Sequence, residues 1–186
     1  FSLDDESHAD LKDAASQMAP ILGDCGIEYR KPPFLTASGD LSHHFETMPP
    51  PYETKLRQDG RRIVLTGTVW ETIAGYCRAV RRGEKIWVSG TTAIHRDRLI
   101  GGQDPASQAN FVLDKIEGAI QSLGGSLDDV VRTRIFVSNI EHWEAVARVH
   151  GERFKEILPA NTLVQSSLVG QDYIVEIEAE AHTLTN

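Results

Sequence analysis

Residues 174–183 read IVEIEAEAHT, and their strict alternation decides the fold. Val175, Ile177, Ala179 and Ala181 fall on one face of a strand, and Glu176, Glu178, Glu180 and His182 on the other. The apolar face needs a cover. Upstream segments supply two amphipathic helices of the right period, so the expected class is α/β, in its α+β form. It is a mixed sheet with two helices on one face.

Working outward, residues 161–168 and 129–138 (DVVRTRIFVS) read as further strands. Between them, Asn139 caps a helix whose stripe holds Trp143, Val146, Ala147, His150, Phe154 and Ile157, closed by Pro159. An earlier helix opens at Asp104-Pro105. It carries Val112, Ile116, Ala119, Ile120 and Leu123 on one side and stops at Gly124-Gly125. Residues 74–80 and 85–89 form an expected hairpin turning at Arg82-Gly83. The other face of the last strand, with its three carboxylates and Trp87 nearby, has no third layer in this chain. A partner subunit is the expected cover.

The first sixty residues differ in composition. They hold eleven acids against five bases, with three successive prolines at 49–51, and read as a partly ordered arm preceding a domain over 61–186. His43-His44 beside Glu46 reads as a polar loop rather than a metal site, because neighbours on an extended segment diverge. The chain opens at Phe1, as expected of a processed product or an excised piece.

Composition excludes several functions. With 40% hydrophobic and 25% charged residues the chain is not a disordered one. A net charge of −8 without a basic stripe argues against nucleic-acid and anionic-membrane partners. No apolar run is long enough to cross a bilayer. Cys25 and Cys77, 52 positions apart, suggest neither zinc nor a redox motif, and reduced thiols fit a cytoplasmic protein. No metal or cofactor is implied.

Four ordered motifs then carry a family resemblance. VSGTTA at 88–93, SLDDVVRTRIFV at 126–137, FKEILPANTLV at 154–164 and IVEIEAEA at 174–181 resemble the RidA (YjgF-type) enamine/imine deaminases. The resemblance spans about residues 61–184. It implies a chorismate-mutase-like fold assembled as a barrel-like homotrimer, with sites in the clefts between subunits. It also implies hydrolysis of small imines or enamines to carbonyl compounds and ammonia.

Residue by residue, the resemblance gives Glu176 the water-positioning place. Tyr76 and Ser89, thirteen positions apart, take the pocket tyrosine and the serine of the SG turn, with Gly90 and Thr91 beside them. The family's PAR turn reads Pro159-Ala160-Asn161 here, so the arginine that clamps the substrate carboxylate is absent. Leu163 stands where a cysteine is common. Losing a charge-assisted bond of about 1.5–3 kcal/mol weakens 2-imino-acid binding roughly 10- to 100-fold. The runs GYCRAV, VSGTTA, VVRTRIFV and VHGERF resemble the branches without that arginine. Arg78, or Arg132 and Arg134, are candidate replacement cations; a solvated or interface arginine is the plainer reading.

Two functions follow as expectations. The first is an imine or enamine deaminase whose substrate lacks a simple carboxylate. The second is a trimer that binds a small keto or amide metabolite without chemistry. A ribonuclease is disfavoured by the acidic charge and the absence of a His pair. His150, on an apolar stripe, reads as a hydrogen-bonded core histidine, and Gly101-Gly102 as a loop.

Overall fold

The computed structural model describes residues 52–95 and 98–184. Most of the expected arm, with Cys25 and His43-His44-Glu46, lies outside these residues. Chain order gives β1 (Thr54–Leu56), β2 (Arg62–Val64), helix α1 (Val69–Ile73), β3 (Ala79–Arg82), β4 (Lys85–Thr92), β5 (Ile94–His95) and β6 (Arg98–Leu99). Helix α2 (Pro105–Ser122), β7 (Val130–Val137), α3 (Trp143–Phe154), β8 (Ala160–Gln165) and β9 (Val175–His182) follow. The sheet starts before the expected boundary at residue 61, since β1 pairs with β2 and the Tyr52 amide donates to Ser122 Oγ at 2.6 Å.

Seven strands run in the order β1-β2-β3-β4-β9-β7-β8, and β5-β6 form a separate ribbon. Only β7 and β8 pair in parallel within the large sheet; the other pairs are antiparallel. The alternation in 175–182 holds: Val175, Ile177, Ala179 and Ala181 are buried and the three glutamates are half-buried. Because β4 and β7 are both antiparallel to β9, they run parallel to each other. The connections β4-α2-β7 and β7-α3-β8 are therefore two crossovers, and right-handed crossovers in one direction put both helices on the same face.

The helices form where the sequence places them. The Asp104 carboxylate accepts from the Ser107 amide at 2.8 Å and Pro105 starts α2. At the other end Arg62 and Arg81 both donate to the Leu123 carbonyl, at 2.5 and 2.8 Å, where cations complement the helix C-terminus. Val112, Ile116, Ala119, Ile120 and Leu123 have no solvent exposure. Each buried aliphatic side chain of leucine size contributes about 1.5–3 kcal/mol. On α3 the expected stripe is narrower, with Val146 and Phe154 buried and Trp143 half exposed. An Arg153–Asp114 ion pair ties α3 to α2.

Several elements differ from expectation: β1 lies within the expected arm, and β2 and the β5-β6 ribbon had no expected counterpart. Residues 69–73 form α1, which ends at Ala74 before Gly75 at φ +66°, so Tyr76 sits in a loop rather than on a strand. The hairpin does turn where expected. Arg82 pairs with Lys85 across a two-residue loop opened by Gly83 at φ +60°.

Candidate functional site

The site is organised by a bulge in β4. Val88 pairs with Ala179 and Thr91 with Ile177, so Ser89 and Gly90 together oppose one residue of β9. The bulge leaves carbonyls without ladder partners. Arg78 reaches them: its guanidinium donates to the Gly90 carbonyl at 2.7 Å, the Ser89 carbonyl at 3.3 Å and Thr91 Oγ1 at 2.8 Å. It also donates to the Tyr76 hydroxyl at 3.3 Å and lies over that ring, 5.6 Å from its centre. Arg78 is buried, at 4% exposure. A solvated or interface arginine is therefore the wrong description. Its Nη1 serves the bulge, where buried carbonyls without partners are costly, its Nη2 reaches Tyr76, and its Nε is buried without a hydrogen-bond partner.

Beyond the bulge, Thr92 falls opposite Glu176, Glu176 opposite Phe136, and Phe136 opposite Val164. Residues opposite one another share a face, so this row lies on the sheet face away from the helices. The Glu176 carboxylate rests on Gly90, where a Cβ would meet Oε1 at 2.0 Å. A Cβ there would have to displace the carboxylate. Burial raises the Glu176 pKa, and Glu178 adds to the rise while Arg78 opposes it. Among the described residues, none holds that carboxylate in a hydrogen bond. Glu178 and Glu180 differ: both are paired with Arg134.

Tyr173 joins the row from the segment before β9. Thr92, Asp172, Glu176 and Tyr76 are among the groups around its phenol. Burial is the main reason its pKa is raised. Glu176 thus sits with Gly90 and Thr92, while Tyr76 is held on the far side of the bulge by Arg78.

The other sequence-derived candidates lie elsewhere. The Ser89 hydroxyl donates to the Cys77 carbonyl at 2.8 Å, fastening the bulge to the chain between Tyr76 and Arg78. Thr91 is fully buried and faces the helices with its hydroxyl on Arg78. Asn161 and Leu163 are not brought to Glu176 within one chain. Asn161 sits in the row of Thr133 and Ala179 and donates to Thr133 Oγ1 at 2.9 Å. Leu163 packs on the helix-side core beside Ile135. His150 is the expected core histidine: its Nε2 is 2.8 Å from Thr133 Oγ1, and burial lowers its pKa.

Three residues around the site were not read from the sequence. Gln108 and Lys115 fall within the first expected helix, and Tyr173 at the start of the last expected strand. Gln108 and Lys115 are seven apart, so both share the buried side of α2 with Val112. Polar residues on an apolar stripe were the available signal. Lys115 Nζ donates to the Ile94 and Thr92 carbonyls at 2.7 and 3.2 Å, and burial lowers its pKa to about 7. Among the described residues no group of His, Cys, Asp or Glu side chains is placed to hold a metal ion, and no helix is long and apolar enough to cross a membrane.

Residues 66–183 match the family described as Endoribonuclease L-PSP. That match covers the whole site and most of the sheet. The chain belongs to the RidA (YjgF-type) family. Within it, the chain is 31% identical over 123 residues to the 3-aminoacrylate deaminase RutC of Acinetobacter baylyi, covering 66% of this chain and 98% of that one. It is 34% identical over 122 residues to the Streptomyces coelicolor protein SCO2049, covering 65% and 91% of the two chains. The crystal structure of Rv2704 from Mycobacterium tuberculosis, of the YjgF/YER057c/UK114 family, superposes with a TM-score of 0.61 at 40% identity, covering 66% of this chain and 99% of that one. The Escherichia coli YjgF structure gives 0.53 at 27% identity, with 57% and 87% covered. The RidA assignment and the α+β fold thus agree with the sequence.

Proposed function

We propose that this RidA-family chain is a cytoplasmic homotrimeric hydrolase that deaminates small imines or enamines in clefts between subunits. The observation that carries the reading is Glu176. Its half-buried carboxylate, with a raised pKa, lies on Gly90 with no protein hydrogen bond among the described residues. A carboxylate so placed has its lone pairs free for a water molecule, and burial makes it a better base at neutral pH.

In the proposed reaction Glu176 orients a water and takes one of its protons as the oxygen adds to the C=N carbon. The resulting carbinolamine receives that proton on nitrogen. Glu176 then carries the hydroxyl proton to the nitrogen as the C–N bond breaks, so that ammonia leaves and a carbonyl remains. An enamine enters the same path after tautomerising to the imine. The deaminase activity in the name of the Acinetobacter relative supports this class of substrate. Support for the assembly comes from the sheet face that bears Glu176. Trp87 and Val164 are exposed there, at 39% and 42%, as a second copy's surface would need. In that assembly the exposed Asn161 borders a neighbouring cleft while Leu163 supports it from the core, and the branch without the clamp arginine is the one we assign.

The test is ammonia release from freshly generated 2-iminopropionate and from an aminoacrylate-type enamine, with Glu176→Gln as control. The expected result is release by the natural chain and at least a hundredfold loss in the variant, with both eluting as trimers. A fully active variant overturns the role of Glu176. A second reading, a trimer that binds a keto or amide compound without chemistry, is favoured by Asn161 at the clamp position and by Arg78 being buried with its Nη1 on the bulge. It predicts saturable binding with no ammonia.

A further inference from the structure

Arg78 is a buried cation that, among the described residues, has no ion-pair partner. Its Nη1 donates to the Gly90 carbonyl at 2.7 Å and to Thr91 Oγ1 at 2.8 Å, and its Nη2 to the Tyr76 hydroxyl at 3.3 Å. All of these acceptors are neutral. Its Nε is buried without a hydrogen-bond partner among the described residues. Burying an unpaired charge is strongly disfavoured, so a guanidinium that persists here calls for a charge that faces it.

The facing charge is Glu176. Gly90 stands between the two: its carbonyl takes the Arg78 hydrogen bond, and a Cβ on it would lie 2.0 Å from Glu176 Oε1. Glu71, whose carbonyl accepts from the Tyr76 amide, has its own carboxylate engaged by the Thr66 and Gly67 amides and the Thr66 hydroxyl. Other cations are engaged as well: Arg134 of β7 with Glu178 and Glu180, and Lys115 of α2 with the Thr92 and Ile94 carbonyls. The residues opposite Glu176, Thr92 on β4 and Phe136 on β7, carry no charge. The remaining titratable groups of the region are Glu178 on β9, Tyr76 before β3, and Asp172 and Tyr173 before β9. Burial raises the Glu176 pKa and Arg78 is the charge that most opposes the rise, in line with the geometry.

We propose that Arg78 is the positioning residue of this site: it fixes the bulge on which Glu176 rests and supplies the buried positive charge that faces its carboxylate. The carboxylate is then an anion at rest despite its burial, ready to accept a proton from water. Once Glu176 holds that proton, Arg78 has lost its counter-charge, which favours passing the proton on to the substrate nitrogen. The part in ammonia release rests on the deaminase reading; the coupling of the two side chains does not.

The experiment follows the Arg78 Nε–H resonance by heteronuclear NMR from acid to mildly alkaline pH, in the natural full chain and in Glu176→Gln, with Arg78→Lys for assignment. The expected result is a pH-dependent shift that tracks the titration of the Glu176 carboxylate and is missing in Glu176→Gln. Ammonia release from 2-iminopropionate, as kcat and KM against pH, is the second readout. Arg78→Lys keeps the charge but not the fork, so kcat should fall about tenfold with the acid limb in place. Arg78→Gln should lose at least as much and move the acid limb upward by about one pH unit, as removal of a facing cation dictates. A merely structural arginine moves neither the limb nor the resonance. Circular dichroism reports whether each variant is folded; if Arg78→Gln is not, the resonance of the natural chain decides. No ammonia from the natural chain, with the Arg78 shift present and lost in Glu176→Gln, sinks the deaminase reading and leaves the coupling in place. An Arg78 resonance indifferent to pH, the same shift in Glu176→Gln, or an unmoved acid limb in folded Arg78→Gln overturns the proposal.

Discussion

The Glu176 carboxylate lies on the backbone of Gly90, closer than any side chain at that position would allow. The contact joins β9 to the bulge of β4 and sets where the carboxylate points. Gly90→Ala should displace it while leaving the core intact, because φ at Gly90 is not in the left-handed region. We expect ammonia release to fall at least tenfold, with a melting temperature within a few degrees of the natural chain. Thermal melts alongside turnover check this; full activity in Gly90→Ala would mean that the position of Glu176 is not critical.

Gln108 satisfies three backbone groups from two loops. Gln108→Leu preserves volume and orphans all of them, at about 1–3 kcal/mol for each group that stays buried. We expect a loss of about 3 kcal/mol in urea unfolding. Amide exchange should rise first at Ile174, whose N–H loses its acceptor. A variant as stable as the natural chain would show that water replaces the glutamine.

Lys115 links stability to alkaline pH. Its pKa is lowered to about 7 in the folded protein and returns to its ordinary value of 10.5 on unfolding. Between these values the unfolded chain binds more protons, so its contribution makes stability rise with pH from about 7 to about 10.5. Urea unfolding across that range should show the rise, and Lys115→Met should lack it. An identical slope in both proteins contradicts the prediction.

His150 acts in the acid range. Asn161 donates to Thr133 Oγ1, leaving the threonine proton for His150 Nε2, an arrangement that suits the neutral imidazole. Burial lowers its pKa below 6.5. Its stabilising contribution is complete above the unfolded value and is lost as pH falls through the folded one. Melting temperature between pH 7.5 and 5 should therefore drop less in His150→Gln than in the natural chain. Equal drops would assign the acid sensitivity to other groups.

The two long helices, the central strands and the two faces of 175–182 were legible in the sequence, because they follow from periods of 2 and 3.6 along the chain, whereas β1 and β2 were not. Asp104 at the start of α2 and the alternation of 175–182 are local facts. The sequence also singled out Glu176, through motifs that ordinary side-chain chemistry would not separate from Glu178 and Glu180. Only the tertiary structure separated the three, by giving two of them Arg134 and the third a bed on Gly90. It likewise turned Arg78 from a candidate clamp into the tie of a bulge, and brought Gln108 of α2 onto the backbone of Asp172 and Ile174 before β9. A bulge shifts strand register by one residue, and register between distant strands is a property of the folded sheet rather than of either segment.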